Sequence, residues 1–121
     1  MDKLLILLFL LNFSVKAESL CDENGNRCEE ISSGAPWMLS ILETSLSVCA
    51  KEVSDYSQVG VWLKNHDWLL PKVKSMTSEY EYLLKMQRNS FWHPDNPEVL
   101  KNCKELLKQV QSGAPLSTSY R

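Results

Sequence analysis

The apolar residues that follow Pro36 recur at helical spacing. Steps of three and four residues separate Met38, Leu42, Leu46, Cys49, Val53 and Tyr56. This spacing places them on one face of a helix of about five turns. Pro36 suits the first helical position, because the N–H group that proline lacks would have no partner inside the helix. The sequence therefore predicts a first long helix from Pro36 to Tyr56.

The same kind of pattern predicts three more helices. A short one covers Gln58 to His66, with Ser57 as its N-cap, and a long one covers Leu69 to Asn89. The last helix begins at Asn96-Pro97 and ends before residues 112–115, where glycine and then proline follow. No stretch alternates between apolar and polar residues cleanly enough to predict a sheet.

Residues 1–17 have the layout of a secretory signal peptide. Lys3 supplies a positive charge, the run from Leu4 to Leu11 is apolar, and Ala17 precedes the expected cleavage site. A membrane anchor is the alternative, but a spanning helix needs about 20 apolar residues. The apolar stretch from Leu4 to Phe13 spans only 10 residues. We therefore expect export to the periplasm or the extracellular space and no stable membrane insertion.

Length and charge narrow the class of protein. Removal of 17 of the 121 residues leaves 104, enough for one domain with a modest core. The signal segment holds two of the 13 basic and one of the 15 acidic residues, so the remainder has a net charge of −3. No block of Lys and Arg is present, which argues against a nucleic-acid partner.

The predicted organisation is a small, disulfide-stabilised, all-α helical bundle with three long helices and one short one. It comprises a signal peptide (1–17), a disulfide-closed N-terminal loop (18–35), a helical domain (36–113) and a flexible tail (114–121).

Four cysteines lie after the signal segment, an even number that is typical of disulfides in an exported chain. Four cysteines allow three pairings, which the count alone does not separate. Cys49 and Cys103 fall on the apolar faces of two different predicted helices, so a bond between them would join those helices. By elimination Cys21 pairs with Cys28, across the reversal that Asn24-Gly25 predicts. An ideal two-residue hairpin would put that pair at a wide, hydrogen-bonded position with ~5.5 Å between Cα atoms.

The segment "CDENGNRC" (21–28) also has oxygen-bearing residues at alternate positions, as a calcium loop does. Asp22, Asn24 and Asn26 occupy those positions, but Arg27 stands where glycine is needed and Ser33 where a bidentate glutamate is needed. The segment is therefore better interpreted as a turn with an exposed, acidic tip. Three residues of that tip are candidates for contact with a partner: Asp22, Glu23 and Asn24.

The two histidines are the main candidates for catalysis. His66 and His93 each have an aspartate within two residues, yet neither comes with a third metal ligand or a recognisable nucleophile motif. The sequence therefore predicts a protein that is not an enzyme, with no catalytic residue, no metal site and no cofactor.

The tripeptide His93-Pro94-Asp95 lies between two predicted helices and is followed by Asn96-Pro97. It resembles the loop of J-domain co-chaperones, and "DYSQVGV" (55–61) resembles the start of that family's first helix. The resemblance extends at most over residues 55–111. It implies that the tripeptide contacts an Hsp70 partner and stimulates its ATPase. The alternative is that Pro94 ends one helix and Asp95 or Asn96 caps the next. We keep Trp92, His93 and Asp95 as a second candidate contact region.

The four tryptophans lie near predicted helix boundaries. They can close the ends of a small core, or they can rim an apolar groove for a ligand. The leading hypothesis is a small exported, non-catalytic protein that binds another protein, of the inhibitor, immunity or secreted-effector type. The alternatives are a carrier of a small apolar ligand and, less favoured, a J-domain-like co-chaperone.

Overall fold

The computed structural model describes residues 18–90 and 92–117, so the predicted signal peptide lies outside the described residues. Two strands come first, β1 (Glu18–Cys21) and β2 (Cys28–Ile31). Five α-helices follow in the described residues: α1 (Ala35–Glu52), α2 (Ser57–Asn65), α3 (Leu70–Lys74), α4 (Tyr80–Asn89) and α5 (Val99–Gln111). A short 3-10 helix, Pro115–Ser117, ends the described chain. The predicted small, mostly helical domain with two disulfides is confirmed.

Helix α1 is the centre of the fold, and the other four helices, with the 3-10 helix, pack on it. Its buried face contains Met38, Leu39 and Leu42, all fully inaccessible to solvent. The helix ends at Glu52 instead of continuing to Tyr56 as predicted, because Val53 adopts an extended conformation. Tyr56 is nevertheless fully buried. None of the helices in residues 18–90 and 92–117 is both long and apolar enough to cross a bilayer.

The prediction of one long helix from Leu69 to Asn89 is wrong. The chain leaves the helical path between α3 and α4, where hydroxyl side chains bond to nearby backbone. Ser75 Oγ donates to the carbonyl of Lys72 at 2.8 Å, and Thr77 Oγ1 accepts from the N–H of Glu79 at 3.2 Å. Such local bonds compete with those of a continuous helix. The break allows α3 and α4 to pack separately on α1.

An ion-pair network holds α3 and α4 against α1. Tyr80 on α4 donates a hydrogen bond from its hydroxyl to Glu43 Oε1 of α1 at 2.6 Å. Lys74, the last residue of α3, reaches the other oxygen of Glu43 at 3.3 Å and lies 5.3 Å from the centre of the Tyr80 ring. Burial, and then the bond to Glu43, raise the pKa of Tyr80.

The N-terminal segment forms an antiparallel hairpin, which the sequence pattern did not predict as a sheet. The reversal is wider than a two-residue turn, because the N–H of Asp22 donates to the carbonyl of Arg27 at 2.9 Å. Cys21 and Cys28 then lie at the next, closer position, with Cα atoms 4.0 Å apart. The expectation of a wide, hydrogen-bonded cysteine pair is therefore wrong.

Both disulfides join the cysteines that the sequence analysis paired. Cys49 of α1 bonds to Cys103 of α5, and both are fully buried, whereas Cys21 bonds to Cys28 in the exposed hairpin. Two disulfides are compatible with an oxidising, extracellular environment.

Part of the segment predicted as a flexible tail is packed in the structure. Leu116 in the 3-10 helix is fully buried, and its carbonyl accepts the N–H of Ser32 at 2.9 Å. The buried side chain and this backbone bond hold the 3-10 helix against the start of α1. Residues 118–121 lie outside the described residues.

The buried tyrosines predict alkaline instability. The Ser45 hydroxyl donates its hydrogen to the Leu42 carbonyl at 2.9 Å. It can therefore only accept from Tyr56, whose hydroxyl donates to Ser45 Oγ at 2.5 Å. Burial raises the pKa of Tyr56 to about 12. The folded protein therefore holds this proton more tightly than the unfolded chain, and the stability that results is lost as the pH rises from about 10 through about 12. We expect the free energy of unfolding to fall over this range, and to fall less in Tyr56→Phe.

Urea unfolding followed by circular dichroism between pH 9 and pH 11.5 measures this effect. Tyr82→Phe is the matched control, because Tyr82 is exposed. An unchanged pH dependence in Tyr56→Phe would contradict the prediction.

Candidate binding site

A pocket of about 170 Å³ opens between α1, α4, α5 and the chain that follows α4. We call it the Gln87 pocket and define it by its lining residues: Met38, Ile41, Gln87, Trp92, Asn102, Glu105, Leu106 and Gln109. Helix α5 supplies four of these, at spacings of three, four and seven residues that put them on one helix face.

Half of the lining residues are apolar, and they lie on well-packed elements. Met38 and Ile41 come from α1, Leu106 comes from α5, and all three are almost fully buried. Trp92 is 5% exposed. Its backbone N–H donates to the Gln87 carbonyl at 3.0 Å, which ties the chain after α4 to the last turn of that helix. The walls therefore belong to packed elements on three sides.

Three side chains of the lining contain polar atoms that are inaccessible to water and have no partner among the described residues. Gln87 is fully buried, yet neither Nε2 nor Oε1 of its side chain has a hydrogen-bond partner among the described residues. Trp92 Nε1 and Gln109 Oε1, which also belong to pocket residues, are buried and unpartnered in the same part of the chain. A buried polar group without a partner costs about 1–3 kcal/mol. Such groups are rare in native proteins, and the three side chains are therefore expected to lower the stability of the fold.

The charge of the pocket comes from one residue. Glu105, which is exposed, is the only ionised group in the lining, and no Lys or Arg side chain is part of it. Glu105 takes part in none of the ion pairs of the described residues. The pocket therefore has nothing in its lining to neutralise an anionic ligand.

The second candidate contact region lies next to this pocket. Trp92 is buried and lines the pocket, so it does not present an exposed ring to a partner. His93 and Asp95 follow it in the chain and are both exposed. His93 Nδ1 accepts the backbone N–H of Asp95 at 3.2 Å, which orders the loop between α4 and α5.

The first candidate region is the tip of the hairpin, a different element. The Asp22 carboxylate accepts the N–H of Asn26 at 3.0 Å and the Nε–H of Arg27 at 3.1 Å. The bond from Arg27 lowers the pKa of this carboxyl group. Asp22 therefore shapes the turn, whereas Glu23 and Asn24 remain exposed and open to contact.

His66 is held in place at both ring nitrogens. Nδ1 lies 2.7 Å from the Trp62 carbonyl, to which it must donate, and Nε2 lies 3.2 Å from Glu29 Oε1. The ring also stacks on Trp62, with centroids 3.9 Å apart. These contacts join the hairpin to the end of α2 and give each ring nitrogen a neighbouring oxygen. Within residues 18–90 and 92–117, no three His, Cys, Asp or Glu side chains are grouped to hold a metal ion.

The sequence analysis missed Gln87, although the pattern contains a signal for it. Gln87 lies seven residues after Tyr80 and four after Leu83, on the apolar face of the predicted helix. Because glutamine side chains are mostly exposed in proteins, a glutamine on such a face indicates either the end of the helix or a buried polar position.

Comparison of the chain with protein-family models, with curated proteins and with solved structures finds no match.

Proposed function

We propose that this protein is a small exported binding protein without catalytic activity, and that its partner is another protein. The observation that supports the proposal is the Gln87 pocket, an opening of about 170 Å³ whose lining combines apolar side chains with Asn102, Glu105 and Gln109. In this proposal a side chain of the partner enters the pocket as an anchor. Anchors of this kind, in desolvated pockets, contribute much of the binding energy of protein interfaces.

The size of the pocket favours a partner's side chain over a carried lipid. Pockets for drug-sized ligands enclose roughly 300–1,000 Å³. The Gln87 pocket has about 170 Å³. The lining also contains Asn102, Glu105 and Gln109, whose polar side chains a purely apolar ligand would not pair with. We therefore place the apolar-carrier alternative below protein binding.

The compartment in the proposal is the periplasm or the extracellular space, reached through cleavage of residues 1–17. The two disulfides support an oxidising location. A toxin-neutralising, inhibitory or effector role fits a small disulfide-bonded domain that binds a protein. His93 and Asp95, which the co-chaperone resemblance singles out, are exposed and follow Trp92 directly, so in this proposal they belong to the same contact face.

Site-specific photo-cross-linking tests this function. A benzophenone amino acid at Glu105, on the pocket lining, is compared with one at Lys51. Lys51 lies 10 residues beyond Ile41, the nearer pocket residue on α1, so about 15 Å along the helix axis from the pocket. We expect one defined product, with a protein of the native compartment, from position 105 and not from position 51.

The cross-linked protein is then purified and its affinity measured. Gln109→Arg, which fills the pocket, is expected to weaken binding at least tenfold, whereas Lys51→Ala leaves it unchanged. Equal binding by the Gln109→Arg variant, or equal cross-linking from both positions, would rule out this face as the binding site.

A further inference from the structure

We propose that the Cys21–Cys28 disulfide is a redox-sensitive bond that a dithiol reductant opens reversibly in the folded protein, and that this bond controls the shape of the hairpin tip, residues 22–27. The Cys49–Cys103 disulfide stays closed under the same conditions. The hairpin bond therefore acts as a switch, and the bond in the core acts as a permanent cross-link.

The hairpin bond lies on the outer face of the two-stranded sheet. Successive side chains of a strand point to opposite faces. Glu29 and Ile31 of β2 face the body of the protein, because Glu29 Oε1 lies 3.2 Å from His66 Nε2 and Ile31 is fully buried. Cys28 therefore points away from the body, as does Cys21 directly opposite on β1. Cys28 is exposed and Cys21 is half-buried, so a small thiol can reach the bond without unfolding of the protein.

The bond in the core is closed to such an attack. Cys49 of α1 and Cys103 of α5 are both fully inaccessible to solvent. Thiol–disulfide exchange needs access of a thiolate to one of the sulfur atoms, and exposed disulfides are in general the labile ones. A reductant reaches Cys49 and Cys103 only after the helices separate, and the opening of core elements needs a free energy close to that of global unfolding.

The chemical step is exchange with a dithiol. One thiolate of the reductant attacks a sulfur atom of the Cys21–Cys28 bond, forms a mixed disulfide with that cysteine and releases the other cysteine as a thiolate. The second thiolate of the reductant then attacks the mixed disulfide and releases the first cysteine. Two electrons pass to the two cysteines, which take up the two protons that the dithiol gave up. The reductant leaves as its own disulfide.

The contacts that hold the strands on the body do not depend on this bond. Glu29 meets His66, and Ile31 belongs to the core. Beyond the strand, the N–H of Ser32 donates to the carbonyl of Leu116 at 2.9 Å. None of these contacts involves a cysteine or the hairpin tip, so we expect β2 to stay in place when the bond opens.

The hairpin tip, in contrast, depends on the bond. The contacts within it are exposed: the Asp22 carboxylate accepts the N–H of Asn26 at 3.0 Å and the Nε–H of Arg27 at 3.1 Å. The guanidinium of Arg27 lies 5.5 Å from the centre of the Trp68 ring. Exposed ion pairs of this kind contribute little, whereas a disulfide limits the conformations of the loop that it closes. Opening of the bond therefore releases the candidate contact residues of the tip from their fixed arrangement.

Reduction of the folded, fully oxidised protein with dithiothreitol tests the order of the two bonds. Free thiols are blocked with N-ethylmaleimide at intervals and located by peptide mapping. We expect Cys21 and Cys28 to be labelled at least about tenfold faster than Cys49 and Cys103, since only the latter need the core to open. The far-ultraviolet circular dichroism should keep its helical signal at this stage, and oxidised glutathione should restore the hairpin bond.

Backbone ¹⁵N relaxation of the same samples tests the control of the tip. We expect the order parameter of the Asn26 N–H to fall from about 0.85, typical of rigid backbone, to below about 0.6 on reduction. Ser32 is the internal control, because its N–H bonds to the buried 3-10 helix, and its order parameter should not change. Cys21→Ala/Cys28→Ala is the matched variant, in which Asn26 should be mobile with and without dithiothreitol.

Three results would overturn the proposal. Labelling of all four cysteines at one rate would remove the distinction between a labile and a permanent bond. Labelling of Cys21 and Cys28 only on unfolding would show that the bond is not redox-sensitive in the folded protein. An Asn26 N–H that stays rigid after reduction, or in Cys21→Ala/Cys28→Ala, would show that the bond does not control the tip.

Discussion

Gln87→Met is expected to stabilise the free protein by about 1–3 kcal/mol, because it removes a buried amide that has no partner among the described residues. The replacement hardly changes helix propensity, since glutamine and methionine are close on that scale. Methionine also fills irregular apolar space well. For a domain of this size, 1 kcal/mol corresponds to a rise of roughly 4–8 °C in Tm.

Thermal and urea unfolding followed by circular dichroism measure this change. Gln111→Met is the control, because Gln111 is exposed at the end of α5. Its free energy of unfolding should stay within about 0.5 kcal/mol of wild type, as for most exposed positions. A Gln87→Met protein less stable than wild type would show that the amide is already satisfied in solution. Stabilisation would instead show that the unpaired amide lowers the stability of the free protein.

Removal of the Cys49–Cys103 disulfide is expected to destabilise the protein by about 4 kcal/mol on the chain-entropy model, because the bond closes a long loop. The two cysteines are 54 residues apart, and both are fully buried where α5 packs on α1. Since domains are stable by only about 5–15 kcal/mol, the Cys49→Ala/Cys103→Ala variant is expected to lose a large share of its free energy of unfolding.

The Cys21–Cys28 bond provides the matched comparison. Its cysteines are only seven residues apart, and the hairpin around them is exposed. The chain-entropy model then gives a smaller loss of about 2–3 kcal/mol for the Cys21→Ala/Cys28→Ala variant. Urea unfolding of both variants tests the order. A larger loss from the hairpin pair would contradict the role of the buried bond as the main cross-link of the fold.

The break between α3 and α4 shows a limit of sequence periodicity. Apolar residues continue at helical steps from Leu69 to Leu84, so the pattern alone predicts one helix. What separates the two helices is a set of local hydroxyl bonds, at Ser75 and Thr77, together with the contacts of Lys74 and Tyr80 with Glu43 of α1. The last two contacts join residues more than 30 positions apart, which no local pattern reveals.

The hairpin shows a similar limit at shorter range. Asn24-Gly25 predicts a reversal, and a reversal is present, but the Asp22 carboxylate bonds to the N–H of Asn26 and widens the loop. The strands themselves are only four residues each, and their position depends on Ile31 in the core and on His66 at Glu29. Tertiary contact, rather than local preference, therefore makes this segment a sheet.

The sequence by itself determined the helical character of the domain and its cross-links. Helical spacing of apolar residues reports which face is buried, and Cys49 and Cys103 lie on those faces, so the pairing follows from the pattern. The tertiary structure alone decided where the helices break and where a pocket remains. Gln87, Trp92 and Gln109 belong to three separate segments, and they line one pocket only because α1, α4 and α5 pack together. Whether a polar atom finds a partner depends on neighbours that are distant in the chain, and packing in three dimensions supplies them.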